Sequence, residues 1–118
     1  MSKTKRDPET LLPLTPAMFH VLVALADGEK HGYAILKEVN RRREGKAALS
    51  AGTLYGVIQR LVAEGAIAES GERPDPALDD ERRRYYRLTP FGREVALAEA
   101  DRMAGMLALV RAKKLLPA

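Results

Sequence analysis

The chain has 118 residues, of which 46% are apolar and 31% charged, so it can form one domain with a modest core and is not a disordered tail. It contains no cysteine, which excludes disulfides, thiolate metal sites and cysteine nucleophiles. No apolar run is long enough for a membrane span or a secretory signal, so we expect a cytoplasmic protein without a membrane partner. The net charge of +4 favours a polyanionic partner without identifying it.

Residues 1–14 are predicted to form a basic N-terminal arm. They contain Lys3, Lys5 and Arg6 together with two prolines. The alternative interpretation is a solvated terminus without a partner, because chain ends commonly fray.

The first helix is predicted to begin at Thr15 and Pro16, since threonine is a good N-cap and proline suits the first helical position. It is apolar on nearly all sides, with Phe19 and Val23 lying on a different face from the core residues. A second subunit could supply part of the missing cover. Asp27 and Gly28 are expected to end the helix.

The second helix is predicted over residues 31–42. Its expected buried stripe consists of Tyr33, Leu36 and Val39, with Ile35 alongside. His31, at its start, is expected to cap the helix or to pack.

The third helix shows the most regular pattern, with Ser50 as its predicted N-cap and Gly65 at its end. Its apolar residues follow helical spacing: Leu54, Val57, Ile58, Leu61 and Val62. The opposite face carries small and polar residues: Gly52, Gly56, Gln59, Arg60 and Ala63, flanked by Thr53 and Tyr55. Solvated faces normally carry lysine and glutamate, so this face is unusual.

A hairpin is predicted next, with strands over residues 66–70 and Arg82–Leu88 and a loop over residues 71–81. Tyr85 and Tyr86 are expected to serve the core and strand pairing.

The last helix is predicted over residues 90–115, a length of about 35 Å at the usual helical rise. Thr89 and Pro90 repeat the cap signal of Thr15 and Pro16 at its start. Its apolar residues have heptad-like spacing: Ala96, Ala100, Met103, Leu107 and Val110. Three short helices cannot cover a helix of this length, so its distal half needs another partner.

Three helices, a hairpin and a fourth helix predict a mainly α, α+β winged helix-turn-helix domain over residues 15–88. A two-stranded wing closes this domain, and a dimerisation helix follows over residues 89–118. In such a domain the third helix enters the major groove and the hairpin follows the DNA backbone. Residues 30–62 carry seven cations and two anions, and residues 82–93 carry five arginines and no acid. Both basic clusters fall in the parts that would face a duplex, although solvated arginines are the alternative.

Three motifs resemble the PadR family of transcriptional regulators: HGYAI at residues 31–35, AGTLYGVIQRLVAEGAI at residues 51–67 and RRRYYRLTPFGRE at residues 82–94. The resemblance covers roughly residues 12–115 and points to the short branch of the family with a single C-terminal helix. It implies a dimeric regulator, usually a repressor that is released from DNA by a small molecule or by a change in conformation, with the first and last helices forming the dimer interface. We therefore expect a homodimer that binds a palindromic operator.

The sequence departs from the family pattern at two places. Gly56 stands where the family usually has proline, and glycine inside a helix costs about 1 kcal/mol relative to alanine. The hairpin loop is acidic, because Asp79, Asp80 and Glu81 directly precede the wing arginines. Whether the tip of the wing contacts DNA is therefore left open.

Two sets of site residues follow. Those expected to contact double-stranded DNA are Ser50, Thr53, Tyr55, Gln59, Arg60, Arg82 and Arg83. Those expected at the dimer interface are Phe19, Val23, Met103, Met106, Leu107 and Val110.

The DNA contacts have different expected roles. Tyr55 would hold a phosphate or, alternatively, pack. Gln59 would read a base or, alternatively, be a solvated surface residue, and Arg60 would contact either a base or a phosphate. The wing arginines would contact the backbone.

Other classes of function have less support in the sequence. The sequence lacks a nucleophile with its base, a pair of catalytic carboxylates and a phosphate-binding glycine loop, so we expect neither an enzyme nor a cofactor. The two histidines lack metal-site spacing, so no metal site is expected. A winged helix used for protein contacts and a non-specific DNA-coating protein remain alternatives. The operator, the regulated gene, the effector and the sign of regulation are not encoded in these patterns.

Overall fold

The computed structural model describes residues 6–43, 49–74 and 82–117 and confirms the winged-helix fold class. A short 3-10 helix, Pro8–Leu11, precedes the main elements. These are α1 (Pro16–Ala24), β1 (Lys30–His31), α2 (Gly32–Arg43), α3 (Ala51–Ala63), β2 (Ile67–Pro74), β3 (Arg82–Leu88) and α4 (Pro90–Ala112).

Hydroxyl side chains fix the starts of three helices. Thr15, Ser50 and Thr89 each accept a hydrogen bond from the backbone N–H three residues ahead, at 3.2, 3.1 and 2.9 Å. These bonds satisfy donors that have no partner inside the helix. In α2 the ring of His31 has this role, because its Nδ1 accepts from the N–H of Ala34 at 3.1 Å. The predicted N-caps are thus confirmed, as is the capping role of His31.

The sheet has one strand more than the sequence pattern predicts. β2 and β3 form the two-stranded wing, and β1 pairs with the other edge of β3, giving the order β1-β3-β2. A strand of two residues is too short to show alternation, so β1 had no signal in the sequence.

The wing strand β2 is longer than expected. It continues through Gly71 to Pro74 after an irregularity between Glu69 and Gly71, and the φ of 118° at Gly71 suits glycine. The prediction that the loop begins at residue 71 was wrong, because a bulge lets a strand pass a glycine that otherwise reads as a turn. The acidic residues 79–81 lie outside the described residues.

The core lies between the three short helices, the sheet and the first half of α4. Its fully buried side chains include Leu22, Ile35, Val39, Leu54, Ile58, Leu61, Ile67 and Val95. Tyr86 is 2% exposed, which confirms its predicted core position.

Tyr33 does not belong to the core, and its predicted place in the buried stripe of α2 was wrong. The ring is 42% exposed, whereas Ile35 and Val39 are completely buried. At about 100° per residue, Tyr33 lies about 200° around the helix from Ile35. The i, i+4 pair of aliphatic residues sets the buried face and turns the tyrosine outward.

The helix α4 joins the body through its first half only. Gly92 lies directly against the carbonyl of Ala66, where a Cβ atom would overlap the backbone. Val95 and Glu99 are buried, while residues 101–109 are all exposed. The helix ends at Ala112, a few residues earlier than predicted, and Lys114 follows in the left-handed region with a φ of 61°.

Part of the predicted arm is attached to the body. The N–H of Leu14 donates to Oε2 of Glu99 at 2.8 Å, and the 3-10 helix packs on α4. Arg6 pairs with Glu64 at 3.1 Å, and its guanidinium lies 5.4 Å from the ring centroid of Phe91. Residues 1–5, which include the two lysines of the arm, lie outside the described residues.

Among residues 6–43, 49–74 and 82–117, none of the helices combines the length and the apolar character needed to cross a bilayer. The same ranges contain no group of three or more histidine, aspartate or glutamate side chains placed to hold a metal ion.

Candidate nucleic-acid interface

The outer face of α3 is exposed along its whole length. Its members are Gly52, Thr53, Tyr55, Gly56, Gln59, Arg60 and Ala63. No residue from 51 to 63 is acidic, and a Cβ atom at Gly52 or Gly56 would meet nothing within 4 Å. These two glycines therefore have no packing role within the part of the chain that the structure describes.

Two contacts fix the start of α3. The amide of Asn40 donates to the carbonyl of Leu49 at 3.1 Å and accepts from the N–H of the same residue at 2.9 Å. The next residue is the cap Ser50, whose hydroxyl also donates to Oγ1 of Thr53 at 3.0 Å. Asn40 thus positions the helix. Its role was not predicted, because an asparagine within a helix gives no signal of its distant partner.

Tyr55 connects α3 to the start of α2. Its ring lies against Gly32, where a Cβ atom would overlap the ring and the hydroxyl, yet 40% of the residue remains exposed. The glycine of the HGYAI motif therefore accommodates the tyrosine of the next motif. This packing leaves the hydroxyl's contact with a phosphate as a prediction.

An open depression of about 320 Å³ joins α3 to the wing. It is lined by Tyr55, Gln59, Glu72, Arg83, Arg84 and Tyr86. The structure thus brings together three of the predicted DNA-contacting residues, from both elements. Arg60 is exposed nearby on α3, and the side chain of Arg82 lies outside what the structure describes.

Charges within the depression are partly balanced. Arg84 pairs with Glu69 of the neighbouring strand at 2.9 Å. Burial raises the pKa of the Tyr86 hydroxyl above its ordinary value, so this phenol stays neutral.

Two cations of the predicted basic cluster form ion pairs within the protein and are not available to DNA. Lys30 pairs with Asp27 and lies 3.7 Å from Glu38, and Arg42 pairs with the same Glu38 at 2.6 Å. Arg42 also donates to the carbonyl of His20 at 2.9 Å, which ties α2 to α1. These two cations stabilise the fold. Arg60 makes no ion pair within the described residues and is exposed.

The predicted dimer residues divide between α1 and α4. Val23, Met103, Met106 and Leu107 are 39%, 46%, 54% and 38% exposed, and Phe19 and Val110 are half-buried. Phe19, Val23 and Met103 line a mainly apolar cavity of about 440 Å³ between the two helices. Its polar edge is formed by His20, Arg42, Glu99 and Arg102.

Solved structures of regulators share this fold. A PadR family transcription regulator from Clostridium difficile R20291 aligns with a TM-score of 0.68 and 22% identity, over 82% of this chain and 96% of that one. Bacillus subtilis PadR, solved in complex with operator DNA, aligns with a TM-score of 0.59 and 20% identity, over 77% of this chain and 48% of that one.

Sequence comparison gives nearer relatives. The transcriptional regulator Rv3488 of Mycobacterium tuberculosis is 41% identical over 85 residues, which are 72% of this chain and 71% of that protein. An uncharacterized 37.1 kDa protein in transposon TN4556 of Streptomyces fradiae is 40% identical over 91 residues. The match covers 75% of this chain but only 23% of that protein, so the chain spans less than a quarter of this relative.

Residues 21–98 match the family model of the PadR-like transcriptional regulators. That range runs from the first helix to the buried half of α4 and includes both elements of the depression. The chain belongs to the PadR-like family, whose members are transcriptional regulators and not enzymes.

Proposed function

We propose that this regulator binds a palindromic operator in double-stranded DNA as a homodimer and represses transcription. The observation that carries the proposal is the outer face of α3, which is exposed, free of acid and adjacent to the wing arginines. The solved complex of Bacillus subtilis PadR with operator DNA supports the choice of partner. Repression rests on the family resemblance.

In the proposed complex, α3 reads bases from the major groove. The amide of Gln59 can bond adenine through N6 and N7, and the guanidinium of Arg60 can bond guanine through O6 and N7 or hold a phosphate. Small neighbours at positions 52, 56 and 63 let the helix approach closely. Ser50 and Thr53 at the helix start, together with Arg82 and Arg83 on the wing, contact the backbone in this proposal.

Selection of bound sequences from random duplex DNA tests the proposal. We expect a palindrome whose half-sites lie about one helical turn, or a multiple of it, apart, because two symmetry-related helices read it. The Gln59→Ala variant should lose about 1–3 kcal/mol on that site and its preference at one position in each half-site. The matched Arg83→Ala variant should weaken all sequences nearly equally.

Two results would reject this assignment of roles. One is an unchanged sequence preference after Gln59→Ala, and the other is a preference rewritten by Arg83→Ala. Failure to enrich any sequence would favour the alternatives, a non-specific DNA-coating protein or a winged helix used for protein contacts. A promoter–reporter assay decides the sign, since a repressor lowers expression from its own operator.

We also propose that a small-molecule effector, which releases the DNA, binds between α1 and α4. The apolar cavity there supports this site, because an apolar hollow with a few polar groups at its edge is typical of ligand sites. A ligand that raises the melting temperature of the wild-type protein should fail to do so with Val23→Trp, which fills the cavity. A ligand-bound structure with the molecule against the wing would overturn the placement.

A further inference from the structure

The exposed ring of Tyr33 lies within about 6 Å of cations from two separate elements. The Nζ atom of Lys37, one turn along α2, is 5.7 Å from its ring centroid. The guanidinium carbon of Arg83, on β3, is 5.8 Å from the same centroid. The imidazole of His31 stacks nearly parallel to the ring, with 6.4 Å between centroids. The ring thus joins α2 to the wing on the surface.

The arrangement concentrates positive charge. Each cation is attracted by the negative face of the ring, which helps to hold both side chains although the two cations repel each other. Lys37 makes no ion pair within residues 6–43, 49–74 and 82–117, and the neighbouring acid Glu38 is paired with Lys30 and Arg42. Two cationic side chains that are held in place beside a phenolic hydroxyl can bind an anion whose charge is spread over several oxygen atoms.

The position of the cluster formed by Tyr33, Lys37 and Arg83 indicates which anion it would bind. The ring of Tyr55, from α3, packs against Gly32, which is the residue before Tyr33. Arg83 also lines the depression with Gln59, which is proposed to read a base. A DNA strand that borders the groove occupied by α3 would therefore pass beside the cluster.

We propose that Tyr33, Lys37 and Arg83 form a binding site for a backbone phosphate of duplex DNA, separate from the contacts that α3 makes. The inference rests on the proposed function and adds Tyr33 and Lys37 to the interface. The site reads no sequence, since it touches the backbone only. It fixes the angle between the helix-turn-helix and the wing on the duplex.

Fluorescence anisotropy with a labelled duplex of random sequence tests the site over a series of salt concentrations. A dimer carries two copies, so Lys37→Ala should lower the affinity and reduce the salt slope by about two, one for each lost phosphate contact. Tyr33→Ala should weaken binding more than Tyr33→Phe, because only alanine removes the ring that holds the cations. Lys113→Ala removes an exposed cation at the end of α4 and serves as the matched control, with dimerisation checked by light scattering.

The outcomes separate the two proposals. Wild-type affinity and salt slope in Lys37→Ala, with Arg83→Ala still weakened, would overturn the phosphate site and leave DNA binding intact. Absence of duplex binding by the wild-type protein would overturn both. An equal loss in Lys37→Ala and Lys113→Ala would also reject the site, because it would show that only net charge matters.

Discussion

Three glycines of this chain differ in what surrounds them. Gly56 faces open space, Gly32 faces the end of the Tyr55 ring, and Gly92 faces the backbone carbonyl of Ala66. The effect of adding one methyl group should follow these surroundings. Backbone cannot move aside, whereas a partly exposed ring can swing outward.

Alanine substitution at the three positions should therefore give three different results. Gly56→Ala should stabilise the fold by about 1 kcal/mol, since alanine favours an exposed helix. Gly92→Ala should destabilise it by about 1–3 kcal/mol or more, because overpacking against backbone finds no relief. Gly32→Ala should keep the fold, displace Tyr55 and weaken DNA binding. Urea unfolding measures the stability of each variant and fluorescence anisotropy its affinity for DNA. A Gly92→Ala protein as stable as wild type would contradict the packing of α4 against the backbone of Ala66.

Residue-level prediction succeeded where a signal is local. The caps Thr15, Ser50 and Thr89 and the buried stripe of α3 depend on neighbours within a few positions, so the sequence contains them. Tyr33 and Asn40 were misread or missed because their surroundings come from another element. A tyrosine on a helix that packs against a sheet edge can face the core or the surface, and only the assembled fold decides.

At the scale of elements, a buried carboxylate holds the N-terminal segment to α4. Glu99 is 1% exposed and accepts hydrogen bonds from Nε of Arg102 and from the N–H of Leu14. The bond from Arg102, assisted by the one from Leu14, holds the pKa of Glu99 below its usual value of 4.5, against the opposing effect of burial.

The hydrogen bonds that Glu99 accepts predict part of the loss of folding stability in acid. A carboxylate with a lowered pKa stabilises the fold fully above the usual value of 4.5, and this contribution is lost as the pH falls below it. Glu99→Gln should therefore reduce stability at pH 7 and flatten its decline towards pH 3. Arg102→Ala removes the main cause of the lowered pKa of Glu99, so it should also reduce stability at pH 7 and flatten the decline. Urea unfolding at several pH values checks both, and an acid dependence identical to wild type in Glu99→Gln would refute the assigned role.

The elements themselves were predicted unevenly. The helices and β3 followed from periodicity and caps, with boundaries close to those observed. The two-residue β1 and the bulged second half of β2 were not predicted, because they are stabilised by pairing with β3 and have no strand pattern of their own. Attachment of residues 6–14 through Glu99 and Glu64 was equally hidden, because these contacts span 58 to 85 positions.

At the scale of the whole molecule, we expect a homodimer because the second half of α4 is exposed. Its large apolar side chains would lose contact with water only against another surface, and Met103 and Leu107 lie on one side of the helix. Light scattering at micromolar concentration should give twice the chain mass. The double variant Met103→Glu with Leu107→Glu should be monomeric.

Leu97 provides the matched control for this prediction. It is 64% exposed and lies about 120° around α4 from Met103, so Leu97→Glu adds the same charge away from the proposed interface. It should leave the dimer intact. A soluble wild-type monomer, or a dimer that survives deletion of residues 103–118, would contradict the interface.

The most direct measurement of the central claim is a binding titration on two duplexes, the selected operator and a scrambled sequence of equal length, at several salt concentrations. With about 6–10 phosphate contacts, affinity should fall by roughly three to five decades between about 50 and 200 mM salt. At physiological salt the operator should be preferred by roughly a thousandfold or more. A response that is flat with salt would contradict DNA as the partner, and equal affinity for both duplexes would contradict sequence reading by α3.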